Sequence, residues 1–500
     1  MEKATKEFLK QNDALFEERK QAILQAEDHL KISGTAYYVS NEGLDTNDGK
    51  SPATAWKTLD RVSAAYLNPG DGVFFRRGDL FRGKVMAKEG VSYGAYGTGE
   101  KPKLYGSQCS LADPALWELY DAEHHIWRTT EKYLDSGTLV FNDGEFHSRK
   151  LIPSYKNLQF VCRDDESKPF TVQNEMTRDL DLFYEDDSYL SRIPSKGEDF
   201  PVPFFWERSC GYLYLRCDRG NPGEVFEEIE STARTHMFKV GSNPNVTIDN
   251  LCIKYVGMHG VAAGGYVVGL TVTNCEFGWI GGSLQHYFGT DPNYPQGGRG
   301  TVTRFGNAIE VYGGCKDYTV CNNYIYEVYD AGITHQVSTS RKVSMDGVLY
   351  RGNAIEKCVY GIEYFMEQLK GESESMMENV VMEENFIRLG GYGWGQQRHN
   401  FYTPALIKGW SYSNPARNYV IRNNIFDRCA YRMLHLVALE QESCPTMSGN
   451  TYIQYRGGKI GQYGGNKNGE PENMFFDSRA EEKIQTVLGE TDAKVYIIED

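Results

Sequence analysis

Between residues 245 and 455, polar and apolar positions alternate with a period of two over short stretches that run into asparagines. The stretches "YTVCN", "VLYRGN", "VVMEEN" and "YVIRNN" place Asn323, Asn353, Asn385 and Asn424 in one column. Asn250 and Asn450 extend that column, and Cys275 fills the slot between Asn250 and Asn323. Period-two alternation is the pattern of strands with one buried face. The later spacings of 30, 32, 39 and 26 residues vary around a fixed turn. That suits stacked coils whose loops differ in length better than a helical solenoid of constant repeat. Asparagine tolerates the left-handed conformation of tight turns, and stacked amides can hydrogen-bond along a ladder. The expected fold is all-β, a right-handed parallel β-helix.

The remainder of the chain departs from this rhythm in three places. Residues 2–31 carry apolar positions Phe8, Leu15, Phe16, Ile23, Leu24 and Leu30 at near-helical spacing, and Gly34 ends the pattern. Such a helix covers one end of the fold or docks a partner subunit or second copy, and both readings stay open. Residues 34–106 read as the strand Tyr37–Ser40, a turn at Asn47-Asp48-Gly49, the short helix Thr58–Ala65 and the strand Val73–Arg76. Residues 107–232, with the "VFNDGEF" hairpin and "GYLYLRCDRGNPGE", read as an inserted antiparallel β subdomain. The organisation is therefore 1–33 helical, 34–106 first part of the β-helix, 107–232 insertion and 233–500 main β-helix.

About ten residues past each ladder position lies a second strand: "NAIEVY", "AGITHQ", "YGIEYF", "GWGQQ" and "RMLHLV". With Ile309, Ile333, Ile362 and Met433 pointing inward, their successors point outward. The outward column reads Glu310, Thr334, Glu363, Trp394 and Leu434. Glu310 and Glu363 are two coils apart, about 9.6 Å at a strand separation of about 4.8 Å. That spacing lets two carboxylates straddle a glycosidic bond with room for water, and Trp394 supplies an apolar face for a sugar ring. Asp330 lies one coil from Glu310, where a like charge raises a carboxyl pKa. His335 faces inward by alternation, and Glu356 is a reserve carboxylate. The loop 284–305, with His286, Tyr287, Tyr294, Arg299 and Arg304, is read as a substrate-binding lid, opposite a wall formed by 388–404. Glu310, Glu363 and Asp330 are thus the catalytic candidates, and Trp394, His335, Thr334, Glu356, His286 and Arg304 the substrate-binding ones.

Charge and composition narrow the classes. A formal charge of −15 argues against nucleic acid or an anionic membrane as partner. The 11 cysteines form no CxxC pair, and neither a metal nor a cofactor is expected. No apolar leader or membrane-spanning run is present, so a cytoplasmic location is expected.

The segment "VSNEGLDTNDGKSPATAWKTLDRV", with the coils "NNYIYEVYDAGITHQ" and "NNIFDRCAYRMLHLV", resembles β-helix carbohydrate-active enzymes of the pectin-lyase-like group over residues 36–106 and 233–500. That group includes lacto-N-biosidases, xylosidases and α-galactosidases, along with polysaccharide lyases and sugar epimerases. The resemblance implies a carbohydrate substrate. The acidic and aromatic column favours hydrolysis of a neutral glycan, the lack of an apolar leader favours an imported oligosaccharide, and loops 284–305 and 388–404 closing a pocket favour exo-action. A lyase or epimerase, kept open by Arg299, Arg304 and His335, and a noncatalytic glycan-binding module remain the alternatives.

Overall fold

The computed structural model describes residues 2–151, 171–186, 210–288, 301–369, 371, 374–398, 403–411 and 413–499, apart from the side chains of 186, 286–288 and 301–303. From residue 247 onward the chain passes in the same order through three long sheets of 11, 14 and 10 strands, here sheets I, II and III. One pass runs Cys315–Cys321 in sheet I, Tyr324–Val328 in sheet II and Ala331–Thr339 in sheet III. The next runs Ser344–Arg351, Ala354–Glu356 and Tyr360–Gln368, pairing parallel with the one before.

Alternation explains what each sheet buries. Ile309, Ile333, Ile362, Ile407 and Leu434 stack in register on the inner face of sheet III. Phe277, Ile325, Ile355, Ile387 and Phe426 do so in sheet II, and Val320, Tyr350, Met382 and Ile421 in sheet I. Like residues recur because the register is in phase, so each coil meets the same face of its neighbour.

The phase is held at the corner between sheets I and II. Nδ2 of Asn323 donates to Oδ1 of Asn353 at 3.1 Å, and the step repeats from Asn353 to Asn385 and from Asn385 to Asn424 at 2.9 Å, then from Asn424 to Asn450 at 3.0 Å. Each Oδ1 also accepts the main-chain N–H of the preceding ladder residue. The same Nδ2 groups donate to main-chain carbonyls, as Asn385 does to Tyr350 at 3.0 Å. All five side chains are buried. Cys275 enters the ladder by its main-chain N–H, 2.9 Å from Asn323 Oδ1. Glu490 closes it, accepting from Asn450 N and Nδ2 at 2.7 and 2.9 Å and from the Tyr452 hydroxyl at 2.6 Å.

Two details of the expected column change. The left-handed residue is the one before the ladder position: Asn322, Gly352, Glu384, Asn423 and Gly449 all have positive φ. Asn250 belongs to that preceding slot, with φ 62°, because Asp249 pairs with Thr273 and Thr273 with Cys321. Asn250 instead donates to Asp28 at 2.6 Å and accepts from Lys101.

The N-terminal helix α1 spans Lys6–Leu24, shorter than the 2–31 pattern, and Thr5 caps it by accepting from Phe8 N at 3.1 Å. Part of its apolar stripe is covered within the chain, while Leu15 stays 44% exposed. Phe16 and Ile23 pack against Tyr324, Ala354 and Phe386 on the outer face of sheet II. Asp13 pairs with Arg388 and Arg428 at 3.1 and 3.0 Å, and Asn12 donates to Asp427 at 3.0 Å. Ahead of the helix, Glu2–Lys3 adds a parallel strand to Lys494–Ile498.

In the early segment Tyr37 pairs parallel with Val73 and Val73 with Tyr93. Among the described residues, six strands between Trp117 and Arg216 build a mainly antiparallel sheet with its own apolar cluster around Trp117, Leu182, Leu213 and Ile229. Its neighbour Ser136–Phe141 pairs antiparallel with Ile229–Ala233 and so extends sheet II. Cys109, Cys217, Cys252, Cys275, Cys315, Cys321, Cys358, Cys429 and Cys444 are free thiols.

Removing one rung tests the ladder. Asn385→Ala strands the N–H groups of Asn353 and the carbonyl of Tyr350 in a buried corner. Unsatisfied buried polar groups cost about 1–3 kcal/mol each, so the variant is expected to lose on the order of 3–5 kcal/mol, the range of severe single substitutions. Thermal unfolding followed by tryptophan fluorescence checks this. A melting temperature within a degree of the parent protein contradicts a structural ladder.

Candidate active site

The outer face of sheet III gathers the candidate side chains into one column. Register pairs Ala262 with Glu310, Thr334 with Glu363, Glu363 with Lys408, Lys408 with His435 and His435 with Gln462. Because Ile309 pairs with Ile333, Glu310 neighbours Thr334. Glu310, Thr334 and Glu363 thus follow one another on neighbouring strands. Beyond it the column continues with Lys408 in place of Trp394 and His435 in place of Leu434, which points inward. The strand after Glu363 is Ala405–Gly409, whereas "GWGQQ" forms a short 3-10 turn, Trp394–Gln397. Its glycines sit against the main chain of Lys357 and Tyr329 and the side chains of Glu327 and Val359, and the apolar-plus-one rule has no strand there to act on.

Glu310 is nearly enclosed. Asn307 Nδ2 donates to its Oε2 at 2.5 Å, and Nδ1 of His259 lies 3.1 Å from the same oxygen. That Nδ1 already accepts the Asn307 main-chain N–H at 3.0 Å. A ring nitrogen acting as acceptor cannot also donate to a carboxylate, so the close approach fits a Glu310 that carries the proton. Burial, reinforced by the charge of Asp330, pushes the Glu310 carboxyl up to about 8, against the Asn307 hydrogen bond.

Glu363 has a different shell. Gln336 Nε2 donates to Oε2 at 2.8 Å, and Lys408 Nζ lies 3.2 Å from Oε1. Burial raises this carboxyl, Lys408 and Arg398 oppose the rise, and Asp330 adds to it. Asp330 acts on both glutamates, so it lies with them. Its own charge is paired with Arg398. Lys408 Nζ sits 3.8 Å from the centre of the Tyr360 ring. Thr334, between the two glutamates, is fully buried, and its hydroxyl has no hydrogen-bond partner among the described residues.

A second outward column runs two residues further along the strands, as Tyr312, Gln336, Phe365 and then Trp410, whose N–H donates to Tyr364 O at 2.9 Å. Phe365 lies 6.2 Å from Tyr312 and 5.1 Å from Trp410, ring centre to ring centre. Tyr312 is 39% and Trp410 49% exposed.

Four expected substrate contacts are placed elsewhere. Trp394 is buried against Trp279 and Tyr329, with Nε1 donating to Glu327 O at 2.8 Å, so no face is open to a sugar. His335 is fully buried inside the coil, bonded to the Tyr350 hydroxyl at 2.9 Å, and burial pushes it down to about 3. Glu356 lies on sheet II under α1, accepting from Tyr324 at 2.8 Å and from Arg388 at 2.9 Å. Arg304 is buried and donates to the carbonyls of Gly282 and Gly137 at 2.6 and 2.9 Å. His286 is in the strand Leu284–Phe288 with its side chain outside the described residues, as are Tyr287 and the loop residues Tyr294 and Arg299. The wall at 388–404 is partly described: Gln397 Nε2 donates to Ser148 O at 2.9 Å and its Oε1 accepts from Lys150 N at 3.1 Å, which ties the turn before Arg398 to the 107–232 segment.

The residues missed from the sequence are His259, Asn307, Gln336, Arg398 and Lys408. Lys408 was within reach, since "ALIKG" has the same apolar alternation as "YGIEY". His259 and Asn307 sit at coil corners, outside any strand pattern. Among the described residues, no group of three or more His, Cys, Asp or Glu side chains is arranged to hold a metal ion.

No family model and no curated protein matches this chain. Among solved structures it is similar to a complex of XylC with xylose, at 13% identity and TM-score 0.38, covering 85% of this chain and 69% of that one. It is similar to a GH136 lacto-N-biosidase from Eubacterium ramulus at 13% identity and TM-score 0.37, covering 98% and 71%. A structure described as a glycoside hydrolase matches at 10% identity and TM-score 0.36, covering 84% and 88%. Likeness at this level assigns no family.

Proposed function

We propose that the three-sheet coil is a right-handed parallel β-helix and that the protein is an exo-acting glycoside hydrolase of a neutral oligosaccharide, with Glu310 as general acid and Glu363 as general base. The observation that carries this reading is the pair of unlike environments on one column. A hydrolase of this type needs one carboxyl protonated near neutral pH to reach the leaving oxygen, and a second, ionised one to activate water. Glu310, buried with Asn307 and His259, meets the first need. Burial raises Glu363 as well, but Lys408 and Arg398 oppose that rise and favour its ionised form, a cationic support that Glu310 lacks, so Glu363 is the better placed of the two for the second.

Two strand spacings, about 9.6 Å between backbones, leave room for a water between the carboxylates, as inverting hydrolysis requires at about 6.5–9.5 Å. Thr334 lies under that gap with an available hydroxyl. In this scheme Glu310 Oε2 gives its proton to the glycosidic oxygen as the bond breaks. Glu363 takes a proton from the water that attacks the anomeric carbon. Asp330, held by Arg398, keeps negative charge beside Glu310 and so favours its protonated form.

Lys408 supports a second reading. It brings a cation to the column exactly one strand from Glu363, where a purely acidic and aromatic column was expected. A lyase would use such a group against a uronate. An unsaturated product absorbing in the ultraviolet identifies that chemistry; hydrolysis yields no such chromophore.

Removing a true general acid or base costs about 10²–10⁴-fold in rate. Glu310→Gln and Glu363→Gln are each expected to lower turnover of an oligosaccharide by that order while leaving the melting temperature intact or raised. An activated aryl leaving group, which needs little protonation, partly rescues Glu310→Gln. Added azide, replacing the activated water, rescues Glu363→Gln. Near-normal activity in both variants overturns the assignment.

The pH dependence has a defined sign. Glu310 must be protonated, so kcat/KM falls as pH rises through about 8. The same carboxyl links to stability. Its folded pKa lies above the ordinary 4.5, so the folded state binds the extra proton between 4.5 and about 8. Its contribution is fully present below 4.5 and is lost as pH climbs through 8. Glu310→Gln is expected to flatten this slope and to raise the melting temperature at pH 9 more than at pH 5. Equal shifts at the two pH values contradict a raised Glu310.

A further inference from the structure

The two outward columns of sheet III differ in exposure and charge along the strand direction. At the start of the strand, Asp330 and Arg398 form a buried ion pair whose side chains are 8% and 15% exposed. That end is closed, and Gln397, anchored to Ser148 and Lys150, backs it. The catalytic column comes next. Two residues on, about 7 Å at a strand rise of about 3.3 Å per residue, stands the row Tyr312, Gln336, Phe365 and Trp410. This row contains no charged side chain, and its outer members are exposed. Two residues further out again, Glu367 accepts from Ser338 at 2.6 Å and puts a carboxylate at the open rim.

Resting on the hydrolase reading above, we propose that Tyr312, Phe365 and Trp410 form the binding subsite for the leaving-group sugar, and that this sugar is a neutral pyranose. Glu310 and Glu363 flank the scissile bond along the coil axis, so the substrate chain runs across the axis, along the strands. One ring then lies at the closed end beside Asp330 and Arg398. The next ring lies over the aromatic row, where the apolar face of a pyranose meets ring faces. A closed end admits a terminal sugar only, while an open end accepts the rest of the chain. The carboxylate of Glu367 at the rim repels a uronate and leaves a neutral sugar undisturbed. Gln336, which donates to Glu363, lies beneath the junction of the two rings.

The test compares leaving groups of different size. A glycosyl fluoride fills the closed end and has no leaving-group sugar; a disaccharide fills both subsites. The probes are fluorides and disaccharides of glucose, galactose, xylose and N-acetylglucosamine in both anomeric forms. Trp410→Ala is expected to lower kcat/KM on the disaccharide at least tenfold more than on the fluoride of the same sugar, with Tyr312→Ala changing in the same direction. An equal loss on both substrates overturns the subsite. Binding is read separately in the Glu310→Gln protein, by quenching of tryptophan fluorescence on titration with the same disaccharides. Quenching that disappears with Trp410→Phe supports the subsite, even where the parent protein hydrolyses nothing; in that case the hydrolase reading alone falls. Quenching that persists without Trp410, or that no disaccharide elicits, overturns the subsite.

Discussion

In each ladder step between Asn323 and Asn450, one amide oxygen accepts both the main-chain and the side-chain N–H of the residue one coil below. An amide held on both its oxygen and its nitrogen cannot shift by one residue without stranding several buried polar groups. A one-residue slip in a strand would also turn its apolar side chains outward. The two constraints act together: the amides fix the phase at one corner, and the stacked Ile, Val, Tyr and Met residues enforce it across three sheets. Loops of different length can then leave the coils without disturbing what the coils present.

That fixed phase is what turns sequence positions into columns. Residues at equal distance from the ladder come to lie in columns, so Glu310, Thr334, Glu363 and Lys408 face the same way although nearly a hundred residues separate the first from the last. The column alone does not make the two glutamates unlike. Their differences come from corners and neighbouring strands: His259 and Asn307 on one side, Lys408 and Gln336 on the other. Burying Glu310 in this way works against stability at alkaline pH, and the ladder and apolar stacks offset that cost elsewhere in the same coils.

Much of this was legible in the chain. Alternation and the asparagine column pointed to stacked parallel strands, and counting forward placed Glu310, Thr334 and Glu363 together. The errors have local causes. Asn250 was moved by one slot because asparagine serves both the ladder and the left-handed position before it, and the sequence does not distinguish the two uses. Trp394 was assigned to a strand because a glycine-rich turn also offers an aromatic at the counted distance. Glu356 shared a coil with Glu363 but belongs to the strand of sheet II, one corner away, where it meets Arg388. Arg398 and His259 come from corners whose side-chain directions follow no period.

The helix α1 is joined to sheet II by Asn12 and Asp427, partners 415 residues apart in the chain, and by the pairing of Glu2–Lys3 with Lys494–Ile498. A growing polypeptide therefore makes the cover long before the surface that it covers. While the later coils are being synthesised, the apolar side chains of Phe16 and Ile23 have no seat, and the first coils must stack without them. Contacts of such sequence separation form late and slowly, so docking of α1 and its leading strand is set to be among the last steps of folding, covering the strand Lys494–Ile498.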